Sequence, residues 1–169
     1  MQVPGAFETP YQTAPLDLVM DTFYTSRKEV IDARLKQILN GDALVFADKT
    51  DSEHRKDRTF FVGGKWDAFE RHEILEILEC MKPSVIHDIC LQQIQDFEAS
   101  GGGVPDLIVW NHSSLDVRFV EVKSPSDKLS ETQKLWIHTL LSAGATVEVC
   151  HVETEEDQKK RNKSRRKSQ

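Results

Sequence analysis

The chain has 169 residues, 38% of them hydrophobic and 30% charged, with a formal net charge of −6. That length holds one ordinary domain with a core of its own plus extensions, and the composition is that of a soluble globular chain with polar ends. No apolar run approaches the ~18 residues of a membrane span, and MQVPGAFETP lacks the basic and apolar regions of a signal peptide, so neither membrane nor secretory pathway is expected.

Residues 1–25 have no clear periodicity and read as an extended lead-in. Ser26 and Glu29 have capping-box spacing, and Val30, Ile31, Leu35, Ile38 and Leu39 follow as one apolar stripe that Gly41 stops. ALVFAD and TFFVGG each fit a short strand, with the polar DKTDSEHRKD between them as a loop. Asp67 and Glu70 suggest an N-cap for a helix carrying Phe69, Ile74, Leu75, Leu78 and Met81, which Pro83 ends. Ser84 is placed to cap a third helix, with Ile86, Ile89, Cys90, Ile94 and Phe97 inward. Gly101, Gly102 and Gly103 break the pattern. Two β-rich runs, PDLIVW and DVRFVEVK, come next. Ser130 and Gln133 again have capping-box spacing, ahead of Leu135, Trp136, Leu140 and Leu141, with Gly144 as the C′ residue. ATVEVCHV is the last strand, and from Glu153 the composition turns to that of a disordered end.

The end of the chain, KKRNKSRRKSQ, holds seven Lys or Arg and no acid, leaving 15 basic against 28 acidic residues in the body. A basic tail on an acidic body is an import signal, a phosphate-binding arm or a solvated end. The acidic body is poor material for holding DNA unaided. Cys80, Cys90 and Cys150 are odd in number and show neither zinc nor disulfide spacing, which points to a reducing compartment. His87, His112, His138 and His151 fall on unrelated elements without metal spacing.

The two β-rich runs flank NHSS and are close enough to pair as a hairpin. A turn centred between Ser113 and Ser114 sets Asp106 opposite Glu121, Ile108 opposite Phe119 and Trp110 opposite Val117. Strand alternation puts these side chains and Lys123 on one face. The other face, with Leu107 opposite Val120, is apolar too, which predicts a strand pair buried on both sides within an α/β layer structure. In this register two carboxylates lie about 5 Å apart at Cα. Their repulsion is of order 3 kcal/mol at an effective dielectric of ~20. A proton on one of them, or a cation between them, would relieve it. A hard divalent ion favours such oxygen ligands and leaves positions for water and phosphate.

The plain alternative is a strand-end aspartate after Pro105 and two solvated charges at the end of the next strand. Against it, the acids sit among LIVW and RFV, the glycine triplet clears the approach to Asp106, and a capped helix bearing Gln133 follows directly. Gln133 is either the capping partner of Ser130 or a group that contacts substrate.

GVPDLIVW followed by FVEVKSPSDKLSETQ resembles the VRR-NUC group of the PD-(D/E)XK nuclease superfamily. Together with APLDLVMDTFYTSR and the closing GATVEVCHV, it is similar to the C-terminal region of the Fanconi-associated nucleases over residues 11–152. The resemblance implies an α/β fold with a restriction-endonuclease-like core, a mixed sheet flanked by helices, in a nuclease domain spanning residues 26–152 with its motifs in 101–152. It implies Mg²⁺ or Mn²⁺ held by Asp106, Glu121 and the Val122 backbone carbonyl, with Lys123 orienting the attacking water. It further implies branched or flapped DNA as substrate, structure-selective endonuclease and exonuclease activity in interstrand crosslink repair, DNA-repair proteins as partners, and the nucleus as compartment. In the family a further ligating glutamate comes from a helix upstream of the APLDL segment. MQVPGAFETP does not read as that helix and Glu8 does not replace it. The sequence is therefore expected to be a C-terminal piece, and the rival expectation is a non-catalytic interaction module with a residual nuclease fold.

Overall fold

In the computed structural model, residues 6–9 and 11–155 are described; the basic tail lies outside them. Helices α1 (Thr22–Thr25), α2 (Lys28–Leu39), α3 (Ala43–His54), α4 (Arg71–Cys80), α5 (Pro83–Gln95) and α6 (Phe97–Ser100) precede strands β1 (Leu107–Asn111) and β2 (Asp116–Lys123), and helix α7 (Glu131–Ser142) then leads to β3 (Thr146–His151). Among the described residues the sheet has three strands in the order β1-β2-β3, with β1 antiparallel and β3 parallel to β2. It is the mixed sheet expected. The parallel pair needs a crossover, and α7 supplies it.

Among the described residues two apolar clusters form the core. The first joins Phe23, Ile31, Leu35, Ile38 and Ala43. The second joins Val85, Phe119, Trp136, Leu140 and Ala143. Helix α5 serves both: Ile86, Cys90, Leu91 and Ile94 pack on the first, Ile89 on the second. The burial of Phe23 and the packing of Leu18 draw the lead-in into the first core, where an extended segment was expected.

Several local expectations are corrected. Ser26 does not cap α2; it is the C-cap of α1, and Arg27 precedes α2 with no side-chain cap. Of the α2 stripe, Ile31, Leu35 and Ile38 are buried, while Val30 and Leu39 are exposed. ALVFAD is not a strand. It opens α3, whose last turns take in DKTDSEH, so most of the expected loop is helical. TFFVGG forms turns, closed where the Trp66 indole N–H donates to the Thr59 carbonyl at 2.7 Å. Short apolar runs carry no period long enough to separate helix from strand. Glu70, not Asp67, starts α4, in a reciprocal box with Glu73, and Asp67 pairs with Arg58. Phe69 is exposed, and the buried residues of α4 are Ile77 and Cys80. Pro83 is the first residue of α5 rather than the end of α4, and it suits that position because its missing N–H is not needed there. Ser84 is no cap; its hydroxyl donates to the Ala143 carbonyl at 2.8 Å.

The hairpin follows the expected register, with Leu107 opposite Val120, Ile108 opposite Phe119 and Trp110 opposite Val117. Its turn is a short 3₁₀ segment, His112–Ser114, whose amides donate to the Asn111 side chain, and Leu115 takes a left-handed conformation at φ 51°. Burial on both faces is not found. Phe119, Glu121 and Lys123 face the helices and are buried, whereas Leu107 and Val109 on the opposite face are each 52% exposed. The helices cover one side of the strand pair. Apolar residues on the other side made the pattern look two-sided.

Candidate active site

Continued by one residue, the hairpin register sets Asp106 opposite Glu121, and by two it sets Pro105 opposite Val122. The Val122 N–H donates to Asp106 Oδ2 at 2.8 Å, so it points to the β1 side. In a strand the N–H and C=O of one residue point the same way. The Val122 carbonyl therefore projects to that side too, toward Pro105, which has no N–H to give it. The next carbonyl, that of Lys123, points to the β3 side and accepts the Val152 N–H at 2.8 Å.

Glu121 sits on the covered face and is only 1% exposed; Lys123, two residues on, is 9% exposed. The Lys123 ammonium lies 2.7 Å from Glu121 Oε1. The same oxygen accepts from the Gln133 amide at 2.5 Å. Gln133 Oε1 accepts in turn from Lys123 Nζ at 3.0 Å. Glu121, Lys123 and Gln133 thus form a closed triangle. The other carboxylate oxygen, Glu121 Oε2, is buried and has no hydrogen-bond partner among the described residues. A buried carboxylate oxygen left without a donor is costly, and buried ion pairs contribute little net stability. Fold stability alone does not account for this arrangement.

The helix that brings Gln133 here is positioned by local sequence. The Ser130 hydroxyl accepts the Gln133 N–H and the Gln133 side chain accepts the Ser130 N–H, so the expected capping box is present. Gly144 closes the helix in a left-handed conformation at φ 89°. The indole N–H of buried Trp136 donates to the Ser100 carbonyl at 2.8 Å and ties the helix to the segment leading into the glycines. Gly103 is required by contact. A Cβ there would lie 2.7 Å from the carbonyl carbon and oxygen of Thr132, so the chain approaching Asp106 runs against the first turn of α7. Gly101 and Gly102 carry no such constraint that would reach the site.

The residues singled out in the sequence form two directly bonded sets: Glu121, Lys123 and Gln133, and Asp106 with Val122. They adjoin because Glu121, Val122 and Lys123 are consecutive in β2. Much of the charge problem of the hairpin is met by Lys123, which neutralises Glu121 directly. The sequence did not reveal that Gln133 links Glu121 to Lys123 while capping its own helix, because nothing in a capping box announces a second partner. Elsewhere, His112 pairs with Glu79 and His87 with Asp88, each at 2.6 Å. Among the described residues no group of three or more His, Cys, Asp or Glu gathers that could hold a metal.

Comparison with known proteins matches the model of the VRR-NUC domain to residues 45–154. The chain belongs to the VRR-NUC family. A Fanconi-associated nuclease 1 homolog from Schizosaccharomyces pombe is 46% identical over 151 residues, covering 89% of this chain and 21% of that protein. Human Fanconi-associated nuclease 1 is 36% identical over 152 residues, covering 89% of this chain and 15% of that protein. This VRR-NUC chain thus spans about a fifth or less of the length of these relatives. A crystal structure of paFAN1 bound to DNA with a two-nucleotide 5′ flap and a gap has a TM-score of 0.74 and 25% identity, covering 90% of this chain and 28% of that one. A second, with a one-nucleotide 5′ flap, has a TM-score of 0.72 and 26% identity.

The divalent cation implied by the family resemblance can be tested against the donors present. The unpartnered Glu121 Oε2, the Asp106 carboxylate and the Val122 carbonyl are all oxygen donors. Hard cations take such donors, and soft ones prefer sulfur or nitrogen. In donor chemistry these residues suit Mg²⁺ or Mn²⁺.

Proposed function

We propose that this chain carries the phosphodiesterase site of a structure-selective DNA nuclease of the PD-(D/E)XK superfamily. Its substrate would be branched or 5′-flapped DNA, cut in endonuclease and exonuclease modes. The observation that carries this reading is the buried Glu121–Lys123–Gln133 triangle with Glu121 Oε2 left without a donor, one residue from the Val122 carbonyl and opposite Asp106. Its support from relatives is the family membership and the flap DNA bound by the structural neighbours.

Asp106, Glu121 and the Val122 carbonyl would hold Mg²⁺ or Mn²⁺. When bound, the ion supplies neutralisation of phosphate charge and acidification of water. Glu121 keeps one oxygen for Lys123 and Gln133 and leaves the other without a donor. Lys123 places its ammonium beside that carboxylate, where it orients the attacking water and stabilises charge growing on the phosphoryl oxygens. Phe119 and Lys123, on the same face of β2 as Glu121, are likewise buried. The role of this activity is interstrand crosslink repair in the nucleus, alongside DNA-repair proteins, with the seven basic residues of the tail as import signal.

Cleavage of a 5′-flap duplex in Mn²⁺ by the purified 169-residue chain tests the reading. Asp106→Ala abolishes cleavage, and Lys123→Ala retains Mn²⁺ binding with reduced turnover. Unchanged cleavage by Asp106→Ala would remove the reading. One observation favours the rival, a non-catalytic module on the same fold: among the described residues no third acidic group gathers with Asp106 and Glu121. Calorimetry separates them, since saturable Mn²⁺ binding at millimolar metal belongs to the enzyme and absence of heat to the module.

A further inference from the structure

The Gln133 side chain is used more fully than a helix cap requires. Its Oε1 accepts from the Ser130 N–H at 3.0 Å and from Lys123 Nζ at 3.0 Å, filling both lone pairs. Its Nε2 donates to Glu121 Oε1 at 2.5 Å. These partners admit only one orientation of the amide. Two obligate donors must meet the oxygen, and a carboxylate must meet the nitrogen. Aspartate and asparagine are too short to reach all three partners. Glutamate could keep the cap but would set a second carboxylate against Glu121.

The same turn of α7 touches the other half of the site. Gly103, three residues before Asp106, runs so close to Thr132 that a Cβ would fall 2.7 Å from its backbone. The first turn of α7 is therefore clamped to the approach of Asp106 through Thr132, and to Glu121 and Lys123 through Gln133.

Resting on the nuclease reading above, we propose that Gln133 is a positioning residue: it fixes which oxygen of Glu121 is left without a donor and where the Lys123 ammonium sits, and it couples both to the start of α7. Without it, Glu121 Oε1 loses a donor and Lys123 an acceptor. The carboxylate is then free to rotate, and the ammonium can take either oxygen. Glu121 Oε2 is then no longer the one oxygen left free for an ion. Partners of this kind typically contribute about 10–100-fold to metal affinity or turnover.

Three variants of the full chain separate this role from plain helix capping. Ser130→Ala and Gln133→Ala each break the capping box, so both lower the melting temperature by a similar few degrees. Only Gln133→Ala weakens Mn²⁺ binding, by about 10-fold or more in calorimetry. Ser130→Ala keeps Mn²⁺ affinity and flap-cleavage turnover within about twofold of wild type. Gln133→Glu keeps the cap, since both residue types serve at that position. Its kcat falls about tenfold or more with KM unchanged, because the lesion lies at Glu121 and Lys123 rather than in DNA binding. Equal Mn²⁺ affinity in Gln133→Ala and Ser130→Ala would overturn the proposal, as would a fully active Gln133→Glu. A wild-type chain that neither bound Mn²⁺ nor cut DNA would be a different failure. It would remove the nuclease reading, and this inference with it.

Discussion

The two clusters of this molecule are made from similar residues and end differently. The first, around Phe23, Ile31, Leu35, Ile38 and Ala43, is closed by further apolar groups such as Phe46 and Ile94. The second begins the same way, with Val85, Phe119, Trp136 and Leu140, but along β2 it passes directly from Phe119 to Glu121 and Lys123. A core needs nothing beyond the first arrangement. The second accepts two buried charges and an unpartnered carboxylate oxygen, a cost that packing does not demand. That difference is what the proposed nuclease site would explain: packing gives no reason for the charged end of the second cluster.

The largest effect expected from that contrast comes from making the second cluster resemble the first. Glu121→Ala strands the buried Lys123 ammonium. It costs about 3–5 kcal/mol of stability in chemical denaturation, and flap cleavage falls by at least about a thousandfold. The double variant Glu121→Leu/Lys123→Met regains most of that stability, because apolar residues of similar volume replace a buried pair at little net cost. It remains inactive. A double variant as unstable as Glu121→Ala would mean the ion pair serves the fold after all. An intermediate effect comes from the first cluster. Ile31→Ala, at a fully buried position, costs about 2–5 kcal/mol, while Mn²⁺ affinity measured below the lowered melting temperature stays at the wild-type value. Loss of binding in that folded variant would show that the two clusters do not act separately.

The smallest effect lies on the surface of the helical half. The Lys28 ammonium, followed by the Tyr24 hydroxyl at 2.7 Å, holds the Asp32 carboxyl below its ordinary value of 3.8. A carboxyl lowered on folding stabilises the protein above its unfolded value, and that contribution is lost as pH falls through the lowered folded value. Wild type is therefore slightly more stable than Asp32→Asn at neutral pH. Thermal melts of the two converge as the pH falls through the lowered folded value. A gap that persisted in acid would show that the effect is packing rather than charge.

The two halves also differed in how legible they were. Around the hairpin, the signals were local and mutually consistent. Alternation fixed the faces of β1 and β2, Pro105 and the glycines marked the entry, and Ser130 with Gln133 and Gly144 bounded α7. In the helical half, ALVFAD was too short to show a period, and Ser26 served the preceding turn instead of the helix after it. There, tertiary packing on α5 decides the structure, and no local pattern records it. The face shared by Glu121 and Lys123 was legible because a strand period of two tolerates no partial slip, whereas Asp106 precedes β1, is exposed, and meets β2 through the Val122 N–H. The link from Gln133 across to Glu121 and Lys123 was not legible, since it depends on where α7 crosses the sheet. Nor was the exposure of Leu107 and Val109, because an apolar strand residue carries no label for which face the helices will cover.

The account rests on Asp106, Glu121 Oε2 and the Val122 carbonyl forming one oxygen site for a divalent ion. Crystals soaked in Mn²⁺ and measured at an anomalous wavelength test this most directly. The account predicts one manganese peak about 2.1 Å from oxygens of Asp106 and Glu121, with Lys123 still held by Gln133. A manganese-soaked structure with those two carboxylates turned apart and no anomalous peak between them would contradict it.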